Sequence, residues 1–344
     1  MVSGLASGDR KNLIMFRFFV GITIIVLFLS VLGVDANAAE SPFFVTYNED
    51  NESVKLEPLT DSPADVAQFE PASLPLVLTE PAVLKLGDSG YALSKEGLYR
   101  VWDAATSTVV RQCILYQGDV WRLAGHLSRL TVYANRHKSD TPAQWNSRAR
   151  SGQPVSLLCG NTSQFVLDHM NSLNVKARRV QSVAKSNWNH FADGHCLTEI
   201  YDPELNRWIL FDPSMGIRLR HQGRLLSLQE ATELYRAGKR PDYIEFVNKE
   251  SEVDPSFNYL AWISEYIKNP AAAARRAQAY IAMCQKNEEA IHSEYDHLIE
   301  IPFIDKCFVA DSDTEEQLFK TLWPQHTRLS ASEFRRRFYG SPAQ

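Results

Sequence analysis

The alternation of apolar and polar positions divides the chain into four stretches. An uninterrupted apolar run from Phe18 to Val34 follows Arg10, Lys11 and Arg17 and precedes Ala36-Asn37-Ala38. Positive residues, a short apolar run and a small-x-small site predict a secretory signal peptide over residues 1–39. The run lies at the short end of the roughly 17–25 residues that span a bilayer, so a signal anchor is the other reading. Under both, the flanking positive charges stay cytoplasmic and the chain after residue 40 faces outward. Residues 40–80 hold Pro42, Pro58, Pro63, Pro71 and Pro75, many acids and only Lys55 as a base. Missing backbone donors and like-charge repulsion predict an acidic, proline-rich linker there.

Short β-branched and aromatic segments begin near residue 81. Tyr99–Trp102, Thr108–Val110 and Cys113–Tyr116 read as strands, with Gly87-Asp88-Ser89-Gly90 as a turn. Leu123, Leu127, Leu130 and Val132 predict a helix from Val120 to about Asn135. Past residue 225 the period becomes helical. Ser227-Leu228-Gln229-Glu230, Thr314–Gln317 and Ser330–Glu333 have the form of capping boxes. Ser256 is placed to cap a helix over Phe257–Ile267, and Pro270 to open a long one from Ala271 to about His297. The expected organisation is a mixed strand-and-helix domain over 81–225 and a helical region over 226–344.

Composition narrows the chemistry. With 344 residues, 44% apolar and 22% charged, the chain has globular proportions, and a net charge of −5 argues against a nucleic-acid footprint. There is no glycine-rich phosphate loop, no HExxH and no CxxC pair. An exported chain with five cysteines permits two disulfides with one thiol left over, or five reduced thiols.

One segment, 151–215, carries a constellation. Cys159-Gly160-Asn161 precedes a helical stretch with Val166, Met170 and Leu173 on one face, ended by Asn174. A cysteine at a helix N-terminus gains thiolate character from the dipole, and the free N–H groups there can receive an oxyanion. His195–Tyr201 reads as a strand with His195, Leu197 and Glu199 on one face. A turn over 202–207 leads to Trp208–Phe211, a second strand closed by Asp212-Pro213. Such a hairpin brings Asp212 beside His195. A thiol, an imidazole and an orienting carboxylate are the parts of a cysteine acyl-transfer triad.

These motifs together resemble the core of the transglutaminase-like superfamily, a papain-like group of cysteine enzymes. The resemblance rests on Cys159-Gly160 before a helix and on Leu173-Asn174-Val175-Lys176-Ala177-Arg178 as the helix–strand turn. It rests also on His195 with Glu199-Ile200, and on Trp208 before Asp212-Pro213-Ser214; about 65 residues are covered. Asn174 stands where the family usually has glycine, Ser214 where it has threonine, and Leu197 where an aromatic is frequent. The resemblance implies an α+β fold in which the nucleophile helix packs on an antiparallel sheet, extended by the helical C-terminal region. It implies Cys159, His195 and Asp212 as catalytic residues and hydrolysis of a peptide or amide bond through a thioester. The expected partner is a protein or peptide substrate, including a cell-envelope component, with no nucleic acid and no cofactor. Amine transfer to a glutamine donor (cross-linking) is one alternative, and an exported scaffold that binds peptide or polysaccharide without turnover is another.

Other residues compete. Gln153, six residues before Cys159, is a candidate oxyanion donor. His190 is a rival base, and His190, Asp193 and His195 form an irregular metal set that the triad reading disfavours. His126, His137, His169 and His221 read as surface or hydrogen-bonded core groups. Asn161-Thr162-Ser163 is a glycosylation sequon by chance on the nucleophile helix. Glu199 reads as a folding residue with Arg178 or Arg179 as its partner, and Arg335-Arg336-Arg337 as a solvated face.

Overall fold

The computed structural model describes residues 42–49, 52–61, 63–184, 194–248 and 253–340. The signal or anchor run over 1–39 lies outside the described residues, among which no helix is long and apolar enough to cross a membrane.

Short strands come first: β1 (Phe43–Glu49), β2 (Glu52–Lys55), β3 (Ala67–Phe69), β4 (Val77–Leu78), β5 (Ala82–Leu86), β6 (Ser89–Leu93), β7 (Gly97–Asp103) and β8 (Thr108–Leu115). They build one sheet in the order β2-β1-β7-β8-β4 and another in the order β3-β5-β6. Val45, Leu74 and Leu78 bury with Leu84, Leu93 and Leu115 in a shared cluster. This corrects the linker predicted over 40–80. Pro58, Pro63, Pro71 and Pro75 all fall between strands, where no ladder bond is lost, and the acids Glu52, Glu57, Asp61, Asp65 and Glu70 face solvent.

The site's framework follows: α1 (Val120–Arg129), β9 (Thr131–Tyr133), α2 (Pro142–Arg150), β10 (Val155–Leu157) and α3 (Cys159–Ser172). Asp119 caps α1 through the N–H groups of Trp121 and Arg122. The predicted helix stops at Arg129 rather than near Asn135, because Thr131–Tyr133 pairs in parallel with β10. Helix α3 ends before Asn174, whose φ of +59° is the left-handed conformation that asparagine and glycine adopt most readily.

Next come β11 (Ala177–Val183), β12 (Gly194–Asp202) and β13 (Arg207–Phe211), an antiparallel trio. The turn between β12 and β13 is set by Asp202 Oδ1, which accepts from the N–H groups of Glu204 (3.0 Å) and Leu205 (2.9 Å), and by Asn206 at φ +51°. Then follow β14 (Ile217–His221), β15 (Arg224–Leu225), α4 (Leu228–Arg236), β16 (Tyr243–Phe246), α5 (Tyr259–Ser264), α6 (Pro270–Cys284) and α7 (Glu288–Leu298). Ser227 and Glu230 form the expected capping box. Asn258, not Ser256, caps α5. The single long helix predicted from Ala271 is two, broken at Lys286 (φ +59°) and restarted by the Asn287 cap.

The chain finishes with β17 (Ile301–Ile304), β18 (Cys307–Val309), α8 (Asp313–Leu322), β19 (Thr327–Leu329) and α9 (Ala331–Tyr339). Ser312, rather than Thr314, caps α8, while Ser330 and Glu333 form the expected box on α9. The fold class is α+β. The C-terminal region is not a helical appendage, because β17 pairs with β11 and completes a six-stranded sheet in the order β13-β12-β11-β17-β18-β19. Residues Phe43–Gln344 form one compact unit with no division at 80 or 225.

Both faces of this sheet are covered. Ile200 and Phe211 pack with Phe165, Val166 and Met170 of α3 on one face. Val180, Leu197 and Leu210 pack with Tyr280, Ile291 and Tyr295 of α6 and α7 on the other. Glu199, fully buried, ties the second face together. Its Oε2 accepts from Arg178 Nη2 (2.7 Å) and Nε (2.9 Å), and its Oε1 from the Leu228 N–H (2.8 Å) and Tyr339 Oη (2.9 Å). Glu199 is therefore the folding residue the sequence indicated, with Arg178 as its partner.

Candidate functional site

Cys159 is the first residue of α3. The residue before it, Leu158, supplies no side-chain cap, so the first N–H groups of the helix are not consumed by one. Helix and sheet meet closely here because residue 160 is glycine. A Cβ on Gly160 would lie 3.1 Å from Arg179 Nη2 and 3.6 Å from Cys196 Sγ. The partly buried Cys159 stands at the turn of α3 that covers Cys196, whose carbonyl accepts from Ser163 Oγ at 3.2 Å. The neighbouring Cys196 sulfur, with burial second, pushes the Cys159 thiol well above its ordinary value.

The β12–β13 register explains how His195 and Asp212 meet. Thr198 lies opposite Phe211, so the chain leaves β13 at Asp212 on the face that carries Leu197 and His195. Asp212 then starts a tight return: Gly216 N–H donates to Asp212 O (2.8 Å) and Asp212 N–H to Ile217 O (2.9 Å). His195 Nε2 lies 2.7 Å from Asp212 Oδ2, and both residues are buried, at 4% and 2% exposure. Asp212 Oδ1 accepts from the Ser214 N–H at 2.8 Å, and Tyr295 Oη donates to Oδ2.

The electrostatics follow from these partners. Burial alone would raise the Asp212 pKa, but the charge and hydrogen bond of His195, with the Tyr295 and Ser214 donors, bring it below the usual value. Burial opposes the imidazolium of His195, and Asp212 outweighs it, leaving the pKa raised. Nε2 is committed to Asp212, and among the described residues Nδ1 makes no hydrogen bond.

Sequence reasoning missed Tyr295 and Cys196. Tyr295 lies 83 residues beyond Asp212 with no motif around it. Cys196 carried a signal, since it follows His195 on a strand and so faces the opposite side, toward α3. All five cysteines are free thiols, so the two-disulfide option falls away: Cys113 is buried in one core, and Cys284 and Cys307 are buried in another.

Gln153 is exposed, at the far end of β10 from α3, and its backbone N–H bonds to Arg148 O (3.1 Å); the structure does not bring it to Cys159. His190 and Asp193 lie outside the described residues, among which no cluster suited to a metal occurs. His137 and His169 are hydrogen-bonded to Ser156 and Asn146, and His221 pairs with Asp242. His126 is buried and pushed down to about 3 by burial and nearby arginines. Thr162 and Ser163 of the sequon are buried in α3. Arg335 pairs with Glu233, and Arg337 lies over the Phe338 ring.

Set against family models, curated proteins and solved structures, the chain matches none.

Proposed function

We propose that this chain is an exported cysteine acyl-transfer enzyme with a papain-like, transglutaminase-like core, in which Cys159 is the nucleophile, His195 the acid–base group and Asp212 its orienting carboxylate. The observation that carries the reading is the buried His195–Asp212 pair at 2.7 Å, on the strand whose next residue, Cys196, accepts through its carbonyl from Ser163 in the first turns of the helix that Cys159 opens. A buried imidazole held by a carboxylate through Nε2 keeps one tautomer and presents Nδ1 for proton transfer.

In this mechanism Cys159 gives its thiol proton to His195 Nδ1, and its Sγ attacks the carbonyl carbon of a peptide or amide. The C–O π electrons move to oxygen, and the N–H groups at the start of α3 face the negative charge that develops. The C–N bond then breaks, and the leaving nitrogen takes a proton from His195 Nδ1. Water, giving a proton to His195, attacks the thioester and frees Cys159. Asp212 holds the His195 ring throughout, in both its charged and neutral forms; Tyr295 and Ser214 hold Asp212. Hydrolysis is the favoured outcome and a peptide, including one from the cell envelope, the favoured substrate.

An activated acyl ester of 4-nitrophenol tests this without knowledge of the natural substrate. The expected result is a burst of one nitrophenol per chain, with the acyl group on Cys159 by peptide mass. Loss of the burst in Cys159→Ala and its slowing in His195→Ala complete the pattern. Added primary amine distinguishes the outcomes, because an amine-transfer enzyme releases acyl-amine in place of free acid. A burst retained in Cys159→Ala overturns the assignment.

A further inference from the structure

The acyl-transfer reading uses one of the two thiols at the head of α3 and leaves Cys196 without a role. Cys196 Sγ accepts from Gln181 Nε2 at 2.9 Å and from Arg179 Nη2 at 3.2 Å. Two donors converge on one sulfur, and one of them is a guanidinium. That environment fits a thiolate, with Arg179 as its counter-charge. The pairing is built by the strand register. Gln181 lies directly opposite Cys196, and Arg179 lies opposite Thr198, so all three side chains leave the same face of the sheet. Gly160 interposes no side chain between this sulfur and α3.

The remaining cysteines differ in kind. Cys113 and Cys284 are held up to about 12 by burial, and Cys307 lies buried in the core between β17 and α9. Only Cys196 combines a guanidinium donor with partial exposure and a second thiol at the helix turn above it, where a Cβ on Gly160 would lie 3.6 Å from Cys196 Sγ. A thiolate with an adjacent thiol is the arrangement in which a sulfenic acid is captured as a disulfide before further oxidation.

We propose that Cys196 and Cys159 form a peroxide-responsive dithiol site, closing a reversible Cys159–Cys196 disulfide that withdraws the acyl-transfer nucleophile. The chemistry balances in two steps. Cys196 thiolate attacks one oxygen of hydrogen peroxide; the O–O bond breaks, an S–O bond forms, and hydroxide leaves. Cys159 Sγ then attacks the Cys196 sulfur; the S–O bond breaks, the Cys159 proton leaves with the hydroxyl as water, and the disulfide closes. Sulfur is oxidised, peroxide oxygen is reduced, and a dithiol reductant reverses the change. The loss of acyl transfer rests on the function proposed above, whereas the disulfide does not.

The test uses the full chain, reduced, treated with hydrogen peroxide, alkylated and mapped under non-reducing conditions. The expected product is a peptide pair joining Cys159 to Cys196, lighter by two hydrogens and restored by dithiothreitol, with Cys113, Cys284 and Cys307 still reduced. Cys159→Ser should leave Cys196 as a sulfenic acid trapped by dimedone. Arg179→Met, which keeps the stem and removes the charge, should slow peroxide consumption by about tenfold. Unlinked Cys159 and Cys196, a linkage to another cysteine, or sulfenic acid confined to Cys159 overturns the proposal. The acyl ester burst is read on the same reduced sample. A disulfide without a burst rejects acyl transfer alone, and a burst without a disulfide rejects the dithiol site alone.

Discussion

Tyr295 Oη and His195 Nε2 bind the same oxygen of Asp212, from opposite parts of the chain. The tyrosine comes from α7 and the histidine from β12, so the carboxylate is fixed only once the C-terminal half has packed on the sheet. Tyr295 is a positioning residue, since it touches Asp212 and acts on His195 through it. Tyr295→Phe removes one donor and keeps the ring that packs against Tyr235. Stability should fall by about 1 kcal/mol. Because the lost donor helps hold the Asp212 pKa down, the acidic limb of the pH profile for ester turnover should move upward. A purely structural role would lower stability and leave that limb in place.

The His195–Asp212 pair also sets a pH window for stability. The folded pKa of His195 is raised, so its contribution is full below the unfolded value of about 6.5 and fades as pH rises through the folded value. The folded pKa of Asp212 is lowered, so its contribution is full above the unfolded value of about 3.9 and fades as pH falls through the folded value. Urea denaturation should therefore show the gap between native protein and Asp212→Asn at its widest between about pH 4 and 6.5. A gap that does not change with pH would contradict the ion pair.

Glu199→Gln should be more damaging than a change of one atom implies. Glu199 is fully buried, and the Arg178 it neutralises is itself 19% exposed by side chain and stacked 4.2 Å over Trp208. Leaving that charge unpartnered costs about 3–5 kcal/mol. Chemical denaturation measures it, and proteolysis near Tyr339 should accelerate as the α9 anchor loosens. A loss under about 1 kcal/mol would mean the pair is screened as at a surface.

Gly216→Ala tests the return that carries Asp212. Gly216 has φ +64°, and a Cβ there would sit 2.5 Å from Asn248 Cβ and 2.9 Å from Ser128 Oγ. Backbone strain and the clash together should cost about 2 kcal/mol or more. Ester turnover should fall alongside, because the Ser214 donor and the Asp212 carboxylate share this turn. Unchanged melting and turnover would contradict the close approach.

The local parts of the site were legible because local rules govern them. The β12–β13 hairpin, with its Asp202 turn, placed Asp212 by register, and Asn174 announced the end of α3. Tyr295 was invisible because its contact joins segments 83 residues apart and no pattern marks it. The strands over 43–80 were hidden by composition. Prolines between strands and acids on the solvent side dominate the count, while Val45 and Leu74 supply the core. The break at Lys286 had a signal in Asn287-Glu288-Glu289, a cap followed by acids, that the helical period on both sides obscured.

The most direct test of the central claim is the rate at which a thiol-directed electrophile labels Cys159, resolved by peptide mass and followed from pH 5 to 9. Labelling should exceed that of Cys113, Cys284 and Cys307 near pH 7 by about tenfold or more, and His195→Ala should remove most of that advantage. Labelling of Cys159 at the rate of the buried thiols, unchanged in His195→Ala, would contradict the account.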